Sequence, residues 1–247
     1  MPYLREIRFN WNKVCDSEQY PFNIPSIKNM KSLIIDRNVT FFVGENGSGK
    51  STLLEAIADK CGLGIKGGSR NSLMQNDVDN LSLSSILTLS WLPKISNGFF
   101  LRAETFYDFA SYIDEVEELN EPDKRYAAYG GKSLHKQSHG ESFLSLLNNR
   151  FGRKGIYILD EPEAALSPQK QLALLSIIRQ LETSGNAQFL IATHSPIIMA
   201  YPDAGIYSFD YSPIINVRYE DTEHYQVTKG FLNNRNKVFN ELFREDN

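Results

Sequence analysis

The stretch Gly44 to Thr52 carries the residue types that phosphate chemistry requires, because it fits the pattern G-x-x-x-x-G-K-[ST] in full. Its glycines let backbone N–H groups turn inward around an anion, and a helix N-terminus behind them adds partial positive charge. In such a loop the lysine reaches the β- and γ-phosphates and the following hydroxyl ligates Mg²⁺. We therefore predict contacts with a nucleoside triphosphate from Asn46, Gly47, Ser48, Gly49, Lys50, Ser51 and Thr52.

The segments on either side of this loop are those that a phosphate cradle needs. Val39 to Val43 is apolar and partly β-branched, as is typical of a buried strand. Thr52 to Ala58 has the periodicity of a helix. The expected order is therefore strand, glycine loop, helix.

A second apolar run, Ile156 to Leu159, ends in the two carboxylates Asp160 and Glu161. A strand of this kind delivers Asp160 to the phosphate end of a sheet, where it can hold Mg²⁺. Glu161 can then act on the attacking water, either as general base or by positioning it. The other interpretation is an acidic strand end without a function, and the upstream glycine loop argues against it.

Two further turns carry groups that suit a phosphate. His194 follows a third apolar run, at the edge where the other phosphate groups are expected, so we predict a hydrogen bond from its ring to the γ-phosphate. A lone histidine is otherwise usually structural. Ser138 and Gly140 lie in a Ser/Gly turn just ahead of a predicted helix. Such a turn could present N–H groups and a hydroxyl to an anion.

Buried strands alternate with helices along the chain, which predicts an α/β fold with a mostly parallel sheet and helices on both faces. We expect one domain over residues 1–247, with a helical inset at about 104–150 before and around the Ser/Gly turn. Residues 61–80 are rich in Gly, Ser and Asn and are predicted to form a loop. Besides those named above, strands are expected at 3–9, 33–35, 86–91, 98–101, 188–192, 206–209 and 214–219. Helices are expected at 106–119, 142–150, 168–181 and from about 228.

Composition excludes some classes of function. The net charge of −4 gives no bulk attraction to nucleic acid, so a nucleic-acid partner would need a local basic groove. Cys15 and Cys61 have no C-x-x-C spacing and indicate neither a disulfide framework nor a zinc site. The chain shows no apolar signal region and no long uncharged apolar window. We expect a cytoplasmic protein without direct membrane insertion.

In their order and spacing, these four motifs resemble the ATP-binding-cassette (ABC) ATPase superfamily, over about Val39 to Pro196. The resemblance implies a P-loop NTPase fold of the ABC type, with an antiparallel β part added to the parallel sheet. It also implies ATP and Mg²⁺ as ligands, with Ser51 and Asp160 on the metal. Lys50, Glu161 and His194 are the catalytic residues that it implies.

Members of this superfamily sandwich two ATP molecules between two heads. The resemblance therefore implies a head-to-tail homodimer in which Ser138 and Gly140 of the signature motif act on the partner's γ-phosphate. Three positions depart from the transporter pattern: His139 and Glu141 in the signature, and Ser167 in the D-loop. The segments Glu161 to Pro168 and Ala192 to Pro196 are more similar to the soluble branch, which holds chromosome-maintenance and DNA-repair heads and small stand-alone bacterial ATPases.

The glutamine of the family's Q-loop has no clear counterpart. Gln75 lies in the polar loop and is expected to face solvent. Arg102 and Glu104 follow an apolar strand nearer the expected place. Either could contact Mg²⁺, water or the γ-phosphate, or the two could belong to a structural ion pair.

The leading hypothesis is an ATPase that switches a partner protein, in nucleic-acid maintenance or phage defence. One alternative is the ATP-binding subunit of a membrane transporter, which should carry a Q-loop glutamine and a glycine-rich signature. A second is a nucleotide-gated scaffold without hydrolysis, which Glu161 argues against. We see no heptad insertion of the kind that a DNA-tethering coiled coil needs.

Overall fold

A computed structural model describes residues 1–64, 82–118 and 126–244. Gln75 and most of the loop predicted over 61–80 lie outside these ranges. The described strands are β1 Leu4–Phe9, β2 Ser32–Ile34, β3 Val39–Val43, β4 Leu87–Trp91, β5 Gly98–Arg102, β6 Gly155–Asp160, β7 Ala187–Ala192, β8 Gly205–Ser208 and β9 Ile215–Asn216. The helices are α1 Lys50–Lys60, α2 Phe106–Glu118, α3 His139–Arg150, α4 Pro168–Thr183, α5 Pro196–Met199, α6 Glu223–Asn233 and α7 Arg235–Leu242.

The larger of two sheets has the strand order β5-β6-β7-β3-β8-β9. Its first five strands are parallel neighbours, and only β9 runs antiparallel, against β8. A smaller sheet, β2-β1-β4, is antiparallel throughout. The predicted fold class is thereby confirmed: a mostly parallel sheet flanked by helices, with an antiparallel β part.

Both faces of the larger sheet are covered, and successive strand residues divide between two cores. Phe41 packs with residues of α2, α3 and α4 on one face. Its neighbour Phe42 packs with α1 and the small sheet on the other. A strand with two buried faces is apolar throughout, which is why β3, β6 and β7 carry continuous apolar runs.

One buried amide joins the two sheets. Gln188 of β7 is fully buried, and its side-chain oxygen accepts the N–H groups of Tyr3 and Leu4 at 3.0 and 2.8 Å. Its side-chain nitrogen donates to the carbonyl of Leu4 at 3.0 Å. Because every polar atom of this amide is paired, its burial fixes β1 against the parallel sheet.

Three predicted elements differ in extent. The helix predicted from Ser142 begins at His139, because the Glu141 carboxylate accepts the N–H of Ser138 and closes the first turn. The strand predicted over 214–219 is reduced to Ile215–Asn216. The last predicted helix is two helices, α6 and α7, separated at Asn234. Ser167 caps α4 as predicted.

Candidate nucleotide-binding site

The predicted site residues on the sheet meet at one edge because they follow parallel strands. The glycine loop follows β3, Asp160 ends β6, and His194 comes just after β7. Arg102 ends β5 and pairs in register with Asp160. Ligands of open parallel sheets bind at the carboxyl ends of the strands, so this edge is where a nucleotide is expected.

The segment between β1 and β2 packs against the glycine loop. Gly49 has φ = +103°, and a Cβ added there would lie 2.7 Å from Cγ2 of Ile24. Ser26 donates its hydroxyl to the carbonyl of Ser48 at 2.5 Å. The loop conformation therefore depends both on glycine at position 49 and on packing from residues 24–26.

Lys50 is buried, and its ammonium lies on the loop itself. Nζ donates to the carbonyls of Gly44 and Glu45 at 2.7 and 2.8 Å. Burial lowers the pKa of Lys50, while the nearby carboxylates of Glu161 and Asp210 oppose that shift. Neutral carbonyls are weaker partners for an ammonium than phosphate oxygens, so this contact can exchange for a phosphate.

The two predicted metal ligands touch each other. The Ser51 hydroxyl donates to Oδ1 of Asp160 at 3.0 Å. Oδ2 of Asp160 accepts from Nε of Arg102 at 2.8 Å, and Arg102 also pairs with Glu55 at 2.5 Å. Of the alternatives for Arg102, the structure has the ion pair, whereas Glu104 lines the cavity beside the loop.

Glu161 and His194 form the second pair at this edge. Their side chains approach to 3.5 Å, between Nε2 of His194 and Oε1 of Glu161. Burial and the neighbouring Asp160 raise the pKa of Glu161. Burial, together with Lys50 and His224, lowers the pKa of His194 to about 4, so its ring is neutral at pH 7. Glu161 has φ = 50° and ψ = 51°, a left-handed conformation that is uncommon for residues other than glycine.

Ser138 and Gly140 lie apart from this group. Ser138 is exposed, and its hydroxyl accepts from Nζ of Lys170 at 3.2 Å. Gly140 is buried, close to Lys170 and to the carbonyl of Ala165. Across the described ranges, no hydrogen bond or ion pair joins either residue to the glycine loop. The fold thus brings Lys50, Ser51, Asp160, Glu161 and His194 together and leaves the signature turn outside.

Three further residues of the site were not predicted. Tyr20 lines the cavity, with its hydroxyl 3.2 Å from Oγ1 of Thr52. Asp210, just beyond β8, accepts the N–H of Glu45 at 2.7 Å. His224 on α6 contacts His194. None belongs to a motif, and each is brought in from far along the chain, so no sequence pattern could have indicated them.

The arrangement fits a nucleoside triphosphate with Mg²⁺. The cavity beside the loop has a volume of about 300 Å³ and is lined by Tyr20, Asn46, Gly47, Lys50, Ser51 and Glu161, among others. Two buried polar atoms, Oγ of Ser48 and Nε2 of His194, make no hydrogen bond within the described part of the chain. Phosphate oxygens would supply partners for such groups. The oxygens of Ser51 and Asp160 are the ligand type that Mg²⁺ prefers.

Comparisons with known families match both ends of this site. Residues 22–85, which include the glycine loop, match a family described as "AAA domain". Residues 143–200, which include Asp160, Glu161 and His194, match a family described as "AAA domain, putative AbiEii toxin, Type IV TA system". Neither match covers half of the chain.

Solved structures share the whole fold. The structure of cbiO1 from Clostridium perfringens, part of the ABC transporter complex cbiONQ, is 16% identical with a TM-score of 0.53, over 96% of this chain and 98% of that one. An SMC head bound to the C-winged helix domain of ScpA is 14% identical with a TM-score of 0.51, over 89% and 99%. The fold is that of an ABC-type P-loop ATPase domain.

Sequence relatives of this ATPase domain are transporter subunits. The zinc import ATP-binding protein ZnuC of Vibrio cholerae is 26% identical over 187 residues, which cover 72% of this chain and 65% of ZnuC. The ribose import ATP-binding protein RbsA of Bacillus cereus is 26% identical over 188 residues, covering 69% of this chain and 37% of RbsA. The match thus spans less than two thirds of either relative. No helix among the described residues has the length and apolarity to cross a bilayer.

Proposed function

We propose that this ABC-type domain hydrolyses ATP, and that it does so as a head-to-tail homodimer. The observation that carries the proposal is the contact between Glu161 and His194, 3.5 Å apart, beside the buried Lys50 and the Ser51–Asp160 pair. These are the groups that binding, metal coordination and water activation require.

Binding begins at the glycine loop. Its N–H groups and the α1 N-terminus receive the phosphates, and Lys50 exchanges its carbonyl partners for phosphate oxygens. Ser51 and Asp160 would hold Mg²⁺, which when bound neutralises charge on the β- and γ-phosphates. Asp160 is aligned for this role because Arg102 holds its other oxygen at 2.8 Å.

Water activation falls to Glu161. The pKa of this carboxyl is raised by burial and by Asp160, which makes it a better base than an exposed glutamate. The neutral ring of His194 can donate one hydrogen bond to the γ-phosphate or to the attacking water. Hydrolysis transfers the γ-phosphoryl group to water and leaves ADP and phosphate.

The dimer supplies what the single chain lacks. The Ser138 turn is exposed, opens the twelve-residue helix α3, and makes no contact with its own chain's glycine loop among the described residues. A second copy facing the first could bring this turn to the nucleotide. Each site would then join the glycine loop of one protomer to Ser138 and Gly140 of the other.

We further propose that the hydrolysis cycle switches a partner protein, as in the soluble branch of the superfamily, in the cytoplasm where ATP is available. Support comes from His139, Glu141 and Ser167, which depart from the transporter pattern. The names of ZnuC and RbsA favour the second candidate, an ATP-binding subunit of a membrane importer. Copurification with a membrane permease would select that candidate.

The test compares Lys50→Ala with Lys60→Ala in Mg-ATP binding and hydrolysis. Lys50 is buried in the glycine loop, whereas Lys60 is exposed at the other end of the same helix. We expect Lys50→Ala to reduce turnover by at least about 10²-fold, as expected for loss of a cationic group on the transferred phosphate. Lys60→Ala should retain wild-type turnover. Equal activity of the two variants would contradict the proposed function.

A further inference from the structure

The imidazole of His194 is held by a second imidazole. Nδ1 of His194 lies 2.8 Å from Nε2 of His224, with the ring centroids 4.9 Å apart and the ring planes at 57°. His224 stands in the first turn of α6, thirty residues further along the chain. The opposite nitrogen of His194, Nε2, faces Glu161 at 3.5 Å.

The proton count at this contact allows two arrangements, because one neutral ring must donate and the other must accept. If Nδ1 of His194 donated, its Nε2 would turn a lone pair toward the Glu161 carboxylate and toward incoming phosphates. If Nε2 of His224 donates, Nε2 of His194 carries the proton and turns it toward those same negative charges. The first arrangement is repulsive and the second attractive, so electrostatics selects the second.

We infer that His224 is a positioning residue that holds His194 in the tautomer whose Nε2 proton is directed at the γ-phosphate and the attacking water. The hydrogen bond on one imidazole nitrogen sets the proton on the other, as for histidines in metal and triad sites. The inference rests on the proposed function, since His194 meets a phosphate only if ATP binds at this edge.

Hydrogen bonds close to both histidines hold the backbone segments that carry their rings. Glu163 accepts the backbone N–H of His194 at 2.5 Å and the hydroxyl of Thr193 at 2.8 Å, which fixes the backbone below the ring. On the other side, the hydroxyl of Tyr219 donates to the carbonyl of Pro196 at 2.9 Å. The turn that precedes α6 is thereby joined to the start of α5, just after His194.

Thr222, just before α6, is buried, whereas the helix itself lies outside the core. α6 has no buried residue, and its side chains are otherwise exposed or half-buried. Among the side-chain hydrogen bonds described for this helix, the one to His194 reaches the candidate site. Displacing α6 would therefore remove the His224 hydrogen bond to Nδ1, and both tautomers of His194 would become accessible.

The kinetic test uses His224→Leu and His224→Gln, with Val227→Ala as control. Leucine cannot donate to Nδ1, whereas the amide of glutamine can. Val227 is exposed on the same helix. We expect His224→Leu to lower kcat by about ten- to a hundredfold, the usual loss when the outer partner of a functional histidine is removed, with KM for ATP little changed. His224→Gln should recover most of the loss, and Val227→Ala should match the wild type. Wild-type kcat in His224→Leu would overturn the inference.

The spectroscopic test can overturn the inference with the wild-type protein alone. The chain has four histidines, so the ring nitrogens of a ¹⁵N-labelled sample can be assigned individually. The wild type should show His194 protonated at Nε2, and His224→Leu should show a mixture of tautomers. A wild-type His194 protonated at Nδ1 would overturn the inference.

The proposed function and the role of His224 can fail independently. If Lys50→Ala keeps its ATPase activity, the proposed function fails. If Lys50→Ala is inactive but His224→Leu behaves as wild type in kinetics and in tautomer, only the inference about His224 fails.

Discussion

Two turns of this protein have similar ingredients and opposite surroundings. Both the glycine loop and the signature turn combine serine and glycine at a helix N-terminus: the loop leads into α1, whereas Ser138 caps α3 and Gly140 lies in its first turn. The first is braced by Ile24 and Ser26, closed by Lys50, and surrounded by groups of four parallel strands. The second is exposed at Ser138, and its contacts are with Glu141 and Lys170.

The difference indicates which turn is finished by its own chain. The glycine loop is held by Ser26 and Lys50 of its own chain, so a nucleotide would meet a preformed surface. Ser138 is exposed, and its side chain contacts Lys170 and the first turn of α3. A site that needs both turns is therefore half built in one protomer, which is the basis for the proposed dimer.

Among the variants that test this comparison, Glu161→Gln is expected to have the largest effect on turnover. It removes the base but preserves the size and hydrogen-bonding reach of the side chain. We expect turnover to fall by about 10² to 10⁴-fold, the usual cost of losing a general base. Binding should survive, because Lys50, Ser51 and Asp160 are untouched. If ATP binds the dimer in preference to the monomer, a variant that cannot hydrolyse should accumulate as dimer.

Size-exclusion chromatography with light scattering, with and without Mg-ATP, measures this directly. Glu115→Gln, an exposed carboxylate of α2, is the matched control. Hydrolysis at the wild-type rate by Glu161→Gln would show that this carboxylate is not the catalytic one and would favour the scaffold.

Replacing two glycines of the loop by alanine tests how tightly the surrounding chain fixes its conformation. Gly49→Ala meets both a left-handed φ of +103° and a Cβ contact of 2.7 Å with Ile24. We expect the free energy of unfolding to fall by about 1–3 kcal/mol. Gly47→Ala, at φ = +78° with no neighbouring atom within 4 Å, should cost less, because only the backbone strain applies. Urea denaturation measures both, and equal losses would mean that packing from Ile24 contributes nothing.

A smaller effect is expected from the pKa of His194. Its folded value of about 4 lies below the ordinary value of 6.5, so between these pH values the unfolded chain binds more protons. Stability from this group is therefore present above pH 6.5 and is lost as pH falls toward 4. The loss is at most about 1–2 kcal/mol, since the half-exposed ring is partly screened by solvent.

The measurement compares thermal melting of wild type and His194→Gln at about pH 7.5 and about pH 5. The wild type should lose more stability between the two. Glu55 and Glu163, whose pKa values are raised by burial, contribute with the opposite sign in both proteins and cancel in the difference. Identical pH dependence of the two proteins would contradict a depressed pKa for His194.

Local patterns predicted the elements of the fold well. The apolar runs that became β3, β6 and β7 are buried on both faces, so their composition alone identifies them. Ser167 before Pro168 is a strong helix start, and α4 begins there. The apolar pattern does not indicate the helix start at His139, because the first turn of α3 is polar and is set by the capping pair Ser138 and Glu141.

Contacts between distant segments could not be predicted. Asp210, Tyr20 and His224 reach the site from a strand end, from the segment after β1 and from α6, each far from the motif it touches. No spacing in the sequence encodes such a meeting. For the same reason, the sequence does not decide whether Arg102 and Glu104 contact the ligand or form an ion pair. The structure shows Arg102 bound to both Asp160 and Glu55.

Mixing two inactive variants tests the central claim, that the site is completed by a second copy. Lys50→Ala damages the glycine loop and Ser138→Arg the signature turn. In a mixed dimer one composite site carries both lesions and the other carries neither. An equal mixture should therefore recover up to about a quarter of the wild-type activity, since half of the pairs are mixed and each has one intact site. No recovery, despite mixed dimers demonstrated by differential tagging, would contradict the account and place the whole site within one chain.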